Sequence, residues 1–290
     1  MALLDPRTIR ALAAEIGLRP SKQRGQNFVH DANTLRRLVA LAEVKPADAV
    51  LEIGPGLGSL TLALLEAGAD VTAVEIEPAL AELLPRTVAD RLPERAEGLR
   101  VITADALEIR TLPDPQPTKL VANLPYNVAV PVLLHALTAF PTIVSGLIMV
   151  QLEVAERLVA TPGSKVYGIP SAKLAWFAVA RKVGLVPANV FWPVPNVASA
   201  LVAFERVAPP PTKASRTQVF SLIDAAFAQR RKMLRGALSS WYGSASAAAT
   251  SLQQAGIAPT ARGETLSITD FARLADYSFP QNNPSTEHHI

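Results

Sequence analysis

The chain has 290 residues, 49% hydrophobic and 18% charged, which excludes wholesale disorder and allows about two domains. It has no cysteine, which excludes disulfide frameworks, thiol catalysis and cysteine-based zinc or iron–sulfur sites; with only four histidines (His30, His135, His288 and His289), no metal is expected. The formal net charge of +3 is too small to argue for nucleic acid, but it is unevenly spread. Residues 1–37 hold seven basic against three acidic residues (net +4), residues 38–204 hold 12 against 16 (net −4), and residues 205–290 hold nine against six (net +3).

Residues 1–37 read as a basic arm with a helix. Met1–Arg10 carries Asp5, Arg7 and Arg10 and no apolar run of the signal-peptide type. With the absence of cysteine, this fits a cytoplasmic protein. Residues 38–207 alternate short β-rich runs with helical patterns. Strands are expected at 49–53, 70–75, 100–103, 119–122 and 142–150, with helices over about 58–67 and from Pro78 onward. Residues 198–205 are expected to add a late edge strand. Strands alternating with helices imply βαβ units and a parallel sheet. Residues 120–152 carry no formal charge, long enough to span a bilayer, but Asn123, Pro125, Asn127, Pro131 and Pro141 interrupt them. They read as strand, loop, helix and strand, and no membrane association is expected. The run Val207-Ala-Pro-Pro-Pro-Thr-Lys-Ala214 marks a domain boundary, because three consecutive prolines continue neither a helix nor a central strand. Beyond it, helices are expected over 217–238, within 244–251 and over 268–277. Residues 215–278 therefore read as a small all-α domain, and 279–290 as a tail.

The first motif is Glu52-Ile-Gly-Pro-Gly-Leu-Gly58, between a strand and a helix. Glycines at 54, 56 and 58 permit a tight turn and close approach of the backbone to a ligand. The dinucleotide fingerprint needs a third glycine at 59, where this chain has serine. The G-x-G-x-G spacing suits a nucleoside cofactor without pyrophosphate, such as S-adenosylmethionine; a nicotinamide dinucleotide is the competing ligand at this point. Glu75, ending the next strand, can accept hydrogen bonds from both ribose hydroxyls, and Asp105, after the third strand, from an adenine amino group.

The second motif is Asn123-Leu-Pro-Tyr126, after the fourth strand. An adenine N6 amine is a poor nucleophile because its lone pair is delocalised into the ring. The Asn123 side-chain carbonyl and the Leu124 backbone carbonyl could each accept one N6 hydrogen and favour a pyramidal nitrogen. Pro125 fixes φ and holds the turn, and Tyr126 could stack on the base, worth about 1–3 kcal/mol. No strong base is required when the leaving group is a sulfonium, so catalysis would rest on positioning and electrostatics.

Two basic groups remain. Arg230, Arg231, Lys232 and Arg235 follow one another with no acidic residue between 225 and 263. A solvated helix face is the bland explanation; on a helix, however, unpaired like charges repel, and a phosphate partner would relieve them. Lys22 and Arg24, with Arg19, form a similar group before Gly25. This segment is expected to order over the cofactor.

The chain resembles the ribosomal RNA adenine dimethyltransferase family, specifically its small-subunit (kasugamycin-sensitivity) branch, over about residues 20–278. The resemblance rests on Gly25-Gln-Asn-Phe-Val29, Glu52 to Gly58, Val74-Glu-Ile-Glu-Pro78, Asp105-Ala-Leu107, Asn123 to Tyr126 and Gln151 to Arg157. It continues in Phe191-Trp-Pro-Val-Pro-Asn-Val197, Phe227 to Leu234 and Gly263-Glu-Thr-Leu-Ser267. It implies a Rossmann-like methyltransferase sheet with a helical C-terminal domain, acting as a monomer in small-subunit biogenesis. It implies S-adenosylmethionine as cofactor and dimethylation at N6 of two adjacent adenosines in a hairpin loop near the 3′ end of small-subunit rRNA. By the family pattern, Asn27 and Val29 join Gly54, Glu75, Asp105 and Asn123 at the cofactor, and Phe191 is a second stacking aromatic opposite Tyr126. The chain departs from the pattern at Val128–Val130, Pro170 and Gly236, which bears on the shape of the RNA loop it accepts. The alternatives are a large-subunit rRNA methylase of the macrolide-resistance type, or a non-catalytic assembly or transcription factor on the same fold.

Overall fold

The computed structural model describes residues 2–19, 27–125 and 128–278. The chain divides into two compact units, Met1–Val159 with Ala178–Arg206, and Ala160–Phe177 with Val207–Ile290.

The first unit contains α1 (Pro6–Glu15), β1 (Phe28–Val29), α2 (Ala32–Leu41), β2 (Ala49–Ile53), α3 (Ser59–Glu66), β3 (Asp70–Glu75), α4 (Pro78–Arg91), β4 (Leu99–Thr103) and β5 (Lys119–Asn123). It continues with α5 (Ala129–Ala139), β6 (Ser145–Gln151), α6 (Leu152–Leu158), β7 (Ala178–Val186), β8 (Phe191–Trp192) and β9 (Ser199–Arg206). Seven strands form one sheet in the order β4-β3-β2-β5-β6-β9-β7, and β1 pairs with β8 in a separate two-stranded ribbon. In β2 and β3 every residue after the first is buried, as expected of parallel strands covered on both faces. The interior turns of α3 are buried all round, from Leu60 to Leu65, and all but Thr61 of these residues are apolar. Helix entries follow local chemistry: the Asp5 carboxylate accepts from the Thr8 N–H at 2.8 Å, and the Asp31 carboxylate from the Thr34 N–H at 2.6 Å.

Strand order reverses between β2 and β5: β3 and β4 lie on one side of β2, and β6 lies beyond β5. Such a switch point opens a crevice at the carboxyl ends of the strands. The expected parallel sheet is found in β2 to β6, but the last two strands depart from it. β9 runs antiparallel to β6, and β7 antiparallel to β9. Nor is β9 an edge. Its first six residues are all buried, whereas β7 turns Val179, Arg181, Lys182 and Leu185 outward and carries an irregularity between Lys182 and Gly184. Charges and bulges of this kind protect a sheet edge, and they also break the alternation by which β7 would have been recognised. The uncharged stretch 120–152 folds as β5, α5 and β6, and among the described residues no helix is long and apolar enough to cross a membrane.

The second unit holds α7 (Ile169–Leu174), α8 (Arg216–Ala228), α9 (Leu234–Ala237), α10 (Ser239–Tyr242), α11 (Ala245–Gln254) and α12 (Ile268–Ala275). Residues 160–177, which from sequence fall within the sheet domain, belong to this unit. Its core includes Leu222, Ile223, Leu234, Leu252 and Phe271, all inaccessible to solvent. Tyr167 packs on Phe227 and Phe227 on Phe271, with ring centroids 6.0 and 6.2 Å apart. The Tyr167 hydroxyl donates to the Leu266 carbonyl at 2.8 Å, and burial pushes its pKa up to about 12. The single helix expected over 217–238 is two helices separated at 229–233. The break has tertiary causes. The Arg230 guanidinium donates to the Glu264 carboxylate at 2.8 Å and to the Lys165 carbonyl at 2.6 Å. The first N–H groups of α9, on Leu234 and Arg235, donate to the carbonyls of Ala261 and Pro259. These acceptors replace those an uninterrupted helix would have supplied.

Candidate functional site

A cavity of about 420 Å³ opens at the carboxyl ends of β2, β3 and β5, at the switch point of the sheet. Its apolar wall includes Leu35, Leu38, Leu60, Leu80 and Met149, and its polar groups come from the strand ends and the residues that follow them.

The turn after β2 is built on three glycines with positive φ, +71° at Gly54, +57° at Gly56 and +93° at Gly58, a region that side-chain-bearing residues rarely enter. A Cβ at Gly56 would lie 2.7 Å from Cε1 of Phe28, so the aromatic ring rests directly on the turn. The Gly56 N–H donates to Oε2 of Glu75 at 3.0 Å, and the Glu77 N–H donates to Oε1 at 3.0 Å. Each carboxylate oxygen keeps a further lone pair for a ligand hydroxyl. Glu75 is buried, and burial raises its pKa against the opposing effect of these N–H groups.

Glu52, in β2, lies on the cavity wall and is 1% exposed. Its carboxyl accepts from the Thr61 hydroxyl at 2.6 Å, and desolvation drives its pKa up to about 8. At neutral pH Glu52 is thus predominantly protonated, whereas at Glu75 the backbone N–H groups of Gly56 and Glu77 oppose the upward effect of burial.

Asn123, the last residue of β5, also lines the cavity. Its Nδ2 donates to the Asn27 backbone carbonyl at 3.1 Å. A carbonyl can only accept, so this contact sets the amide orientation and leaves Oδ1 as an acceptor with no donor among the described residues. The Leu124 N–H donates to the Met149 carbonyl at 3.1 Å, which ties the turn to β6, and the Leu124 side chain is buried. Pro125 lies 3.8 Å from where a Gly54 Cβ would stand, so the two motifs meet.

The cavity therefore brings together Asn27, Val29, Gly54, Glu75, Asn123 and Pro125 of the residues singled out by sequence. Asp105 does not line it; its Oδ1 accepts from the Leu107 N–H at 2.8 Å. Phe191 does not line it either. It is 1% exposed in the core, paired with Val29 in the β1–β8 ribbon, where a base-stacking surface would need to be open. Arg230 is committed to Glu264, whereas Arg231, Lys232 and Arg235 are exposed in the second unit, the first two in the turn after α8 rather than on a helix. Lys22, Arg24 and Tyr126 lie outside the described residues. Sequence reading missed Phe28, Ser59, Ile76 and the buried state of Glu52. The signal for Glu52 was a carboxylate within an otherwise apolar strand; Phe28 and Ile76 lie inside the motifs Gly25–Val29 and Val74–Pro78 but were given no role of their own.

Comparison with known proteins follows the same lines. The family model described as "Ribosomal RNA adenine dimethylase" matches residues 18–278. The chain is 63% identical over 275 residues to the "Ribosomal RNA small subunit methyltransferase A" of Thermobifida fusca, covering 95% of this chain and 96% of that protein. It is 60% identical to the protein of the same name from Streptomyces coelicolor, covering 95% and 97%. Among solved structures, a dimethyladenosine transferase from Plasmodium falciparum superposes with a TM-score of 0.70 at 22% identity, covering 85% of this chain and 95% of that one. The 23S rRNA methyltransferase ErmE superposes with a TM-score of 0.62 at 27% identity, covering 86% and 98%. These likenesses agree with a Rossmann-like methyltransferase fold.

Proposed function

The chain belongs to the ribosomal RNA adenine dimethylase family, and from that premise we propose that it is a cytoplasmic S-adenosylmethionine-dependent enzyme that dimethylates N6 of two adjacent adenosines in the 3′-terminal hairpin loop of small-subunit rRNA. The observation that carries this reading is the meeting of the glycine turn, Glu75 and the Asn123 amide in one cavity. Relatives named as small-subunit methyltransferases at about 60% identity favour it over the large-subunit reading, for which the solved 23S enzyme stands at 27%.

The cavity fits the cofactor. Its volume lies within the range of roughly 300–1,000 Å³ typical of small-molecule sites. The space beside Gly54, where a Cβ would meet only Pro125 at 3.8 Å, is open, and Glu75 retains acceptor capacity. S-adenosylmethionine supplies a methyl group activated by its sulfonium. Glu75 would accept from the ribose hydroxyls, and Gly54, Asn27 and Val29 would bound the cofactor, with Asp105 reaching the adenine amine. Asn123 Oδ1 and the Leu124 carbonyl would accept the hydrogens of the target amine and turn its lone pair toward the methyl group. Pro125 holds that turn, Tyr126 would cover the base, and Phe191 would serve the opposite face only after leaving the core. The transfer would break the sulfonium's S–CH3 bond and leave the positive charge on N6, which is then acidic enough to give its proton to water, so no strong base is needed. Phosphates of the rRNA on the immature small subunit would be held by Arg231, Lys232 and Arg235, with Lys22 and Arg24 of the arm.

Calorimetry with S-adenosylmethionine tests the cofactor assignment. The wild-type protein should bind it, and Glu75→Ala should weaken binding by roughly tenfold or more, the loss expected for hydrogen bonds to a charged acceptor. Undetectable binding to the wild-type protein would favour the non-catalytic reading.

A further inference from the structure

Asn123 is held by an element far from it in sequence. Its Nδ2 donates to the carbonyl of Asn27, the residue that enters β1. β1 is only two residues long and lies outside the seven-stranded sheet, with Phe28 and Val29 buried in the core. It pairs antiparallel with β8, Phe28 opposite Trp192 and Val29 opposite Phe191. The His30 N–H extends that pairing to the Val190 carbonyl at 2.9 Å. The Phe28 and Trp192 rings stack at 6.3 Å between centroids with 27° between planes, and Cε1 of Phe28 lies against Gly56. Phe28 thus touches both Trp192 and the cofactor turn, and the Asn27 carbonyl is the next group along the chain. An isolated two-residue ribbon has little stability of its own, so its place depends on such side-chain contacts.

We propose that Trp192 is a positioning residue: through Phe28 it holds the Asn27 carbonyl on the Asn123 amide, and so keeps Asn123 Oδ1 turned toward the reacting amine. The chemical consequence rests on the methyl-transfer reading above; the structural linkage does not. If the Asn27 carbonyl moves away, the amide loses its only fixed acceptor among the described residues, and rotation by half a turn would present a donor to an amine that needs an acceptor. Trp192 itself touches no reacting atom. It is partly buried and packs against the core of the first unit, so a merely structural role predicts lower stability with no specific change at Asn123.

The test reads Asn123 directly. In 15N-labelled full-length protein, the Asn123 side-chain amide pair is identified by its loss in Asn123→Asp. In the wild-type protein one of its protons should be shifted and slow to exchange with deuterium. In Trp192→Ala, exchange should rise by roughly tenfold or more, the equivalent of one hydrogen bond, and kcat for methylation should fall by about the same factor while the KM for S-adenosylmethionine changes by less than about threefold. Trp192→Leu keeps apolar volume without the ring and should behave likewise, which covers the case of an alanine variant that does not fold. Trp192→Phe, which keeps a stacking ring, should restore most of both effects. Unchanged amide exchange in Trp192→Leu would overturn the proposal, as would a loss that falls on KM as heavily as on kcat and is not rescued by phenylalanine. A wild-type protein with a protected amide but no methylation would instead refute the reaction reading and leave the linkage standing.

Discussion

Replacing Glu52 by glutamine should change the pH dependence of stability more than stability itself. Glu52 is 1% exposed with one hydrogen-bond partner, the Thr61 hydroxyl, and its pKa rises from 4.5 to about 8 on folding, mainly by desolvation. The folded state therefore keeps a proton that the unfolded chain releases above pH 4.5. The stabilisation associated with this raised pKa is complete below about pH 4.5, declines as pH rises, and is lost once pH passes about 8. At 1.36 kcal/mol per pKa unit, the full loss is on the order of 5 kcal/mol. Glutamine fills the same volume, still accepts from Thr61 and cannot ionise. Glu52→Gln and wild type should melt together at pH 5, and the variant should gain progressively up to pH 9, by roughly 10 °C at the rate of 2–4 °C per kcal/mol expected for a domain of this size. Glu75, whose charge raises the Glu52 pKa, is present in both proteins and cancels to first order. The assay is a pair of melting curves at each pH across this window. A difference in melting temperature that stays constant from pH 5 to pH 9 would refute the assignment of a neutral, desolvated Glu52.

Three further outcomes follow from the same geometry. Gly56→Ala places a Cβ 2.7 Å from Phe28 at a φ of +57°, so it should destabilise by about 1–3 kcal/mol and weaken S-adenosylmethionine binding, both measurable by calorimetry. Arg231→Ala, Lys232→Ala and Arg235→Ala should lower rRNA affinity and flatten its salt dependence without lowering melting temperature, whereas Arg230→Ala should also destabilise the second unit through lost contacts to Glu264 and Lys165; equal melting losses for all four would contradict that division. Tyr167→Phe strands the buried Leu266 carbonyl and should cost about 1–2 kcal/mol by denaturant titration, with unchanged cofactor affinity.

Much of the sheet was legible in the sequence because its parallel strands are buried on both faces and read as uninterrupted apolar runs: the bounds expected for β2 and β3 match those observed. β7 was not legible, since an edge strand mixes Arg181 and Lys182 with valines and carries an irregularity. The break after α8 was hidden for another reason. Local propensity favours a continuous helix, and the acceptors that interrupt it, at Lys165, Ala261 and Glu264, are remote in sequence. At the candidate site, Gly54, Glu75 and Asn123 announced themselves by residue type at strand ends. The link from Trp192 through Phe28 to the Asn123 amide could not be read, because nothing local to 27–29 signals pairing with 191–192. The uneven charge seen at the outset also needs a finer division, because Arg230 is neutralised within the second unit and only its neighbours stay open.

The central claim is that Asn123 orients an adenine amine for methylation in small-subunit rRNA. Its most direct test is incubation of immature small ribosomal subunits with labelled S-adenosylmethionine and either wild-type protein or Asn123→Ala, followed by mapping of the modified adenosines. With the wild-type protein, two adjacent N6,N6-dimethyladenosines near the 3′ end are expected. With Asn123→Ala none is expected, although cofactor binding and melting temperature should remain close to wild type. Dimethylation retained in Asn123→Ala, or label located in large-subunit rRNA, would contradict the claim.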